Sequence, residues 1–244
     1  MNPMNPVLKR TLTGLAVGAA VICAALFAPP VVVRPAVGAI ALLAGYEFYV
    51  LHAIGIGKSR GVTSLGLIGS MFVRLVGLLI IVAGLMMLAL VQQRYGDATC
   101  GPFRLGNVML LYVIAIVKFS DVGGFAFGLT SAKLMKGGNH KMCPTISPNK
   151  SWEGLFGSVF ASCLISCCFM GATGFGVIKS LACGVTAALV GTAGDLVESK
   201  FKRWVGVKDS STMRITNGMG GFLDMIDSLL FAPAVLYFLM WFEF

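Results

Sequence analysis

Two aspartates stand three residues apart in "GFLDMIDSLL", at Asp224 and Asp227. On a helix that spacing puts both carboxylates on one face, about a turn apart. Like charges repel there unless a cation or a basic group lies between them. Magnesium suits the pattern, since it takes oxygen ligands, often one or two carboxylates with substrate phosphates. The preceding "NGMGG", with Gly220 and Gly221, offers backbone that a ligand can approach closely, ahead of a helix start that favours anions. Upstream, "SKFKR" supplies Lys202 and Arg203, and Lys208 and Asp209 follow. Basic side chains next to paired acids fit a metal–polyphosphate site, with acids on the cation and bases on phosphate oxygens. Each piece alone has a plain reading: solvated acids at a helix end, or a basic topology signal. The three together favour a site.

A second cluster lies upstream. Asp121 interrupts an apolar run just before Gly123 and Gly124, and "SPNKSWEG" brings Ser147, Lys150, Ser151 and Glu153 to a helix start. Ser151 is the expected N-cap of a helix beginning at Trp152, and Lys150 could reach a phosphate. Other ionisable groups sit in or at the ends of apolar runs: Glu47, Arg74, Lys118, Lys179, Asp195 and Glu198. Charge at membrane depth is costly and usually faces a polar interior. His140, in a glycine-rich loop, reads as solvated, and His52 as interfacial.

The elements that must position these groups are apolar helices. Hydrophobic residues make up 57% of the 244 and charged residues only 12%, against about a quarter charged in a soluble domain. The expectation is an all-α, polytopic integral membrane protein forming one domain over 1–244. Its N-terminal spans fall in 11–91, and its catalytic spans and loops in 105–242. Hydrophobic runs cover 11–30, 31–53, 64–91, 105–132, 154–172, 174–197 and 222–242. Each approaches the ~20 residues a bilayer-crossing helix needs. They predict seven spans, or eight or nine if the long third run is broken, with "PPVVVRP" as a turn. The first run follows Lys9 and Arg10 and reads as a retained signal anchor.

The net charge of +9 lies mostly in loops between runs, where it sets topology and attracts anionic headgroups, which sets nucleic acid aside as a partner. The positive-inside rule puts the N-terminus and the loops 133–153 and 198–221 in the cytoplasm, so both clusters lie on one face and could build one site. Seven cysteines are scattered without a CxxC pair, which weakens zinc and disulfide readings. No GxSxG, HExxH, GxGxxG or Walker A pattern supports a hydrolase, zincin or dinucleotide enzyme.

"SKFKRWVGVKD" (199–209) followed by "GMGGFLDMIDS" (218–228) resembles the signature of phosphatidate cytidylyltransferases, the CDP-diacylglycerol synthases. The first half matches at Ser199, Lys202, Arg203, Lys208 and Asp209. "DVGGFAFG" and "ISPNKSWEG" are also similar to that family. The resemblance implies transfer of CMP from CTP to phosphatidic acid, with release of pyrophosphate. It also implies a homodimer in membrane lipid, in the bacterial inner membrane. Mg²⁺ would be held by Asp224 and Asp227 with Asp195 or Asp121, with K⁺ as a possible second cation. Lys202, Arg203 and Lys208 would bind phosphates, with Asp209 beside them, while Ser199, Ser147, Lys150, Ser151, Asp121, Gly220 and Gly221 would contact substrate. The lipid phosphate is itself the nucleophile, so no Ser or Cys nucleophile is implied. The sequence departs from that family at Met219 and Met225, where the family carries His and Arg, and at Asn217, where Pro is common in the family. Methionine can neither donate to phosphate nor neutralise it. The alternatives are therefore a weakened relative that binds anionic lipid or nucleotide, or another CTP-dependent lipid phosphotransferase.

Overall fold

The computed structural model describes residues 18–58, 64–96, 98–207 and 221–242. The chain is mostly helical. Among the described residues four helices are long and apolar enough to cross a membrane: α2 (Pro30–Lys58), α3 (Ser64–Tyr95), α4 (Leu105–Leu134) and α7 (Val177–Val205). Two apolar helices are shorter, α1 (Gly18–Phe27) and α5 (Trp152–Cys168). A single-turn helix, α6 (Met170–Thr173), joins α5 to α7. Among the described residues the expected seven to nine full spans are thus not found.

The differences have local causes. The third run is one unbroken helix, because nothing from Ser64 to Tyr95 removes a backbone donor. The "PPVVVRP" turn is shorter than expected, since α2 already starts at Pro30, where a missing N–H costs nothing. The last run breaks into α8 (Phe222–Ile226), a 3-10 turn (Asp227–Leu229) and α9 (Ala232–Leu239). At the break the Asp227 carboxylate accepts the Ser228 N–H at 2.6 Å, an alternative to helical bonding. Pro233, in the first turn of α9, has no N–H to continue a helix across it. Gly84 of α3 lets the broken segment approach, as a Cβ there would run into the Leu230 carbonyl.

Two short antiparallel hairpins complete the fold: β1 (Thr99–Cys100) with β2 (Phe103–Arg104), and β3 (Lys141–Cys143) with β4 (Ser147–Ser151). Inside the bundle, buried polar groups pair across helices. Gln92 donates to Asn107 at 2.8 Å, and Tyr112 and Ser166 hydroxyls lie 2.7 Å apart.

Helices α4 and α5 pack along a glycine seam that sets the walls of the site. A Cβ on Gly157 would meet the Phe127 side chain and the Gly123 carbonyl, and one on Gly123 would meet the Gly157 carbonyl. Small residues of this kind let membrane helices approach closely. Gly157→Val should therefore destabilise the detergent-solubilised protein by about 1–3 kcal/mol, read as a fall in Tm. Gly171→Ala, with nothing within 4 Å of its Cβ, should leave Tm unchanged.

Candidate active site at one end of the helix bundle

A cavity of about 610 Å³ opens where α4, the β3–β4 hairpin, α5, α7 and α8 converge. Its wall includes Asp121 and Lys118 of α4, Ser147, Asn149 and Lys150 of the hairpin, and Ser151 at the start of α5. Thr192 and Asp195 of α7, with Asp224, Met225 and Asp227, close the other side. The two sequence clusters, far apart along the chain, thus share one space.

Each wall residue is held by its element. Ser151 caps α5, its hydroxyl accepting the Gly154 N–H at 3.1 Å, as the sequence predicts. The hairpin is anchored to α7 by Lys150, whose Nζ lies 2.6 Å from Asp195 Oδ2 and donates to the Thr192 carbonyl at 3.0 Å. Arg203, exposed near the end of α7, points Nε at the Ile146 carbonyl of the same hairpin, 3.4 Å away. On the other side, buried Glu47 of α2 accepts the Leu223 N–H at 2.9 Å, satisfying a donor in the first turn of α8. Asp224 Oδ2 accepts the Gly221 N–H at 2.9 Å and fixes the same turn.

One oxygen from each of Asp195, Glu198 and Asp227 lies within 4.8 Å of the others. Glu198 is buried, and its Oε1 has no hydrogen-bond partner among the described residues. Three carboxylates this close need a proton or a cation between them, and an orphaned buried oxygen is an open ligand position. The all-oxygen set could hold a metal ion and fits hard cations rather than thiophilic ones.

Lys202 bridges this trio to Asp224, its Nζ 2.6 Å from Glu198 Oε2 and 2.8 Å from Asp224 Oδ1. The grouping differs from the expected Asp224, Asp227 and Asp195 set. Asp195 and Asp227 do come together, but with Glu198, while Asp224 is engaged by Lys202 and Gly221. The signal for Glu198 was available: "DLVE" repeats on α7 the same three-residue acid spacing that marks Asp224 and Asp227. A further network was missed. Lys118 donates to Ser228 Oγ at 2.9 Å and lies 3.3 Å from Asp121 Oδ2, and the Ser228 hydroxyl reaches the same Asp121 oxygen at 2.9 Å.

Of the other predicted residues, Ser199 is half-buried on α7 outside the cavity wall. Lys208, Asp209 and Gly220 lie outside the described residues, as does Met219. His140 is largely exposed, but it is not simply solvated: its Nδ1 lies 2.6 Å from Glu153 Oε1. That ring hydrogen bond, aided by backbone amides, holds the Glu153 carboxyl down to about 2. His52 proves buried rather than interfacial, accepting from Arg74 Nε at 3.0 Å beside the Phe201 and Trp204 rings.

The chain matches the model of the cytidylyltransferase family over residues 70–243. Among curated proteins it is similar to the phosphatidate cytidylyltransferase of Staphylococcus aureus (strain COL), 42% identical over 133 residues, which cover 54% of this chain and 48% of that protein. The same 133-residue coverage holds for the phosphatidate cytidylyltransferases of Staphylococcus saprophyticus, at 40%, and Staphylococcus epidermidis, at 39%. The chain spans about half the length of the curated relatives it matches. With the family match covering most of its length, including the cavity walls, the chain belongs to the cytidylyltransferase family.

Proposed function

We propose that this protein is a phosphatidate cytidylyltransferase, forming CDP-diacylglycerol and pyrophosphate from CTP and phosphatidic acid. The observation that carries the reading is the convergence of Asp195, Asp227, Lys118 and Lys150 on one cavity at the end of an apolar bundle, with Glu198 beside the two aspartates and Lys202 paired to Glu198, in a chain of this family. A phosphate oxygen of phosphatidate attacks the α-phosphorus of CTP. The bond to the β-phosphate oxygen breaks, and pyrophosphate leaves with its electron pair. No protein nucleophile takes part, so the protein's work is alignment and charge neutralisation.

Asp195, Glu198 and Asp227 would hold Mg²⁺, which when bound offsets the charge on the triphosphate and on the leaving pyrophosphate. Lys150 and Lys118, each now resting on an aspartate, can turn their ammonium groups to phosphate oxygens across the cavity. Ser147 and Ser151 line the same side and can donate to the lipid or nucleotide phosphate. Asp224 and Lys202 keep α8 in register behind them. The loop charge supports a cytoplasmic cavity end, where CTP is available, while the lipid arrives from the bilayer. A homodimer, K⁺ as a second cation and roles for Lys208, Asp209 and Gly220 follow from the family resemblance alone.

The test is CTP-dependent pyrophosphate release by purified protein with phosphatidate and Mg²⁺, with CDP-diacylglycerol as the lipid product. Release of CDP instead would identify a lipid kinase and overturn the reading. One observation favours a second reading, a relative of reduced turnover: Met225 lines the cavity, so a neutral thioether stands where the resemblance expects a guanidinium. On that reading Met225→Arg raises turnover well above the parent.

A further inference from the structure

Beside Glu198 lies a second space, of about 270 Å³, between α2, α3, α7 and the broken C-terminal segment. Its lining is carbon almost throughout, and Phe48, Phe72, Val76, Ile80 and Phe231 form much of it. Among the described residues Glu198 is the one ionisable group in its wall, and it is also a member of the carboxylate trio. The crevice runs beside α3 from Phe72 to Ile81, nine residues at 1.5 Å each, or about 13 Å into the apolar bundle. It is too narrow for a helix, whose diameter is about 10–12 Å. It is long enough for part of a hydrocarbon chain.

We infer that this crevice receives one acyl chain of the lipid substrate while the lipid phosphate lies at the carboxylate trio. The inference rests on the proposed reading of the site as one that uses phosphatidate. An amphiphile with an anionic head and an apolar tail matches a polar cavity lined by Asp195 and Asp227 and an apolar crevice lined by Glu198, one oxygen from each of the three lying within 4.8 Å of the others. The occupied crevice also excludes water from behind Glu198. In that drier setting the interactions of the trio with cation and phosphate strengthen. The crevice walls would then set how strongly chain length is felt at the reaction centre.

The experiment uses the full chain in lipid nanodiscs and a phosphatidate carrying a photoactivatable diazirine on one acyl chain. Phosphatidylcholine with the same label serves as the annular control. The expected result is labelling within residues 72–81 that is at least about tenfold stronger for phosphatidate, and its loss in Ile80→Trp, which fills the crevice. In the assay, Ile80→Trp raises KM for dipalmitoyl phosphatidate by about tenfold while leaving KM for CTP and for dihexanoyl phosphatidate unchanged. Equal labelling by both lipids would overturn the inference, as an ordinary lipid-facing groove. So would labelling of a second copy seated on α3. Selective labelling without any CDP-lipid product would leave the crevice standing and remove the activity reading instead. The labelling of the unmodified chain decides the matter even where the tryptophan variant fails to fold.

Discussion

Asp195→Asn is expected to lower CDP-diacylglycerol formation by roughly 100-fold or more, about 2.7 kcal/mol at the transition state. The substitution takes one oxygen ligand's charge from the trio and breaks the contact that holds Lys150 and the β3–β4 hairpin to α7. The diagnostic measurement is a Mg²⁺ titration of the rate. Asp195→Asn, Asp227→Asn and Glu198→Gln should each raise the half-maximal Mg²⁺ concentration by about tenfold or more, as loss of a ligand does more than loss of an outer hydrogen bond. Asp224→Asn should lower the maximal rate, by loosening the start of α8, and leave the Mg²⁺ midpoint where it was. If Asp224→Asn moves the midpoint as far as Glu198→Gln does, the trio is wrongly drawn and Asp224 is the ligand.

The second large effect concerns stability. Lys202 is 14% exposed and lies between the carboxylates of Glu198 and Asp224. Removing one member of a buried ion network leaves uncompensated charge and typically costs about 3–5 kcal/mol. Lys202→Met should therefore lower Tm sharply in detergent, more than any of the single acid-to-amide changes. Neutralising both acids in the same background, with Glu198→Gln and Asp224→Asn, should restore most of the loss, because a buried ion network replaced as a whole is often near neutral. The triple variant should stay inactive. Recovery of Tm without recovery of rate separates the structural role of Lys202 from the chemistry around it. A Tm for Lys202→Met equal to the parent's would show that water, rather than the lysine, compensates these acids.

Much of the site was legible because its side chains are chemically out of place in an apolar chain. Asp121, Lys150, Asp195, Asp224 and Asp227 stand out for that reason, and all five line the cavity. The Ser151 cap was legible because N-capping depends only on local sequence. What could not be read was pairing. Asp224 and Asp227 share a spacing that fits one cation on one helix face, but the helix breaks between them and sends their carboxylates to different partners. The segment around the break also packs on α3 at Gly84, where a Cβ would meet the Leu230 carbonyl, a neighbour far away in the chain. Glu198 was seen as a costly charge, but its membership of the trio depends on how α7 meets the broken segment. His52 misled for a similar reason: its place near a span end said interface, while Arg74 and two aromatic rings, from α3 and α7, close over it. The hydrophobic runs located the helices well, but they could not tell a full span from a broken one, since composition does not record where backbone bonds stop.

The contact between Glu47 and the Leu223 amide joins residues 176 positions apart. During synthesis, therefore, the Glu47 carboxylate waits without that donor until nearly all of the described chain has emerged. Contacts of such long sequence separation form late and slowly. The order of events is then fixed by the chain itself: the apolar bundle can gather first, and the candidate site closes only when the segment from Phe222 onward docks on α2. A ribosome that stalls or drops off early would release a membrane-bound product with an unfinished centre. Such a fragment would carry Lys118, Lys150 and Asp195 but lack Asp224 and Asp227 of the cavity wall.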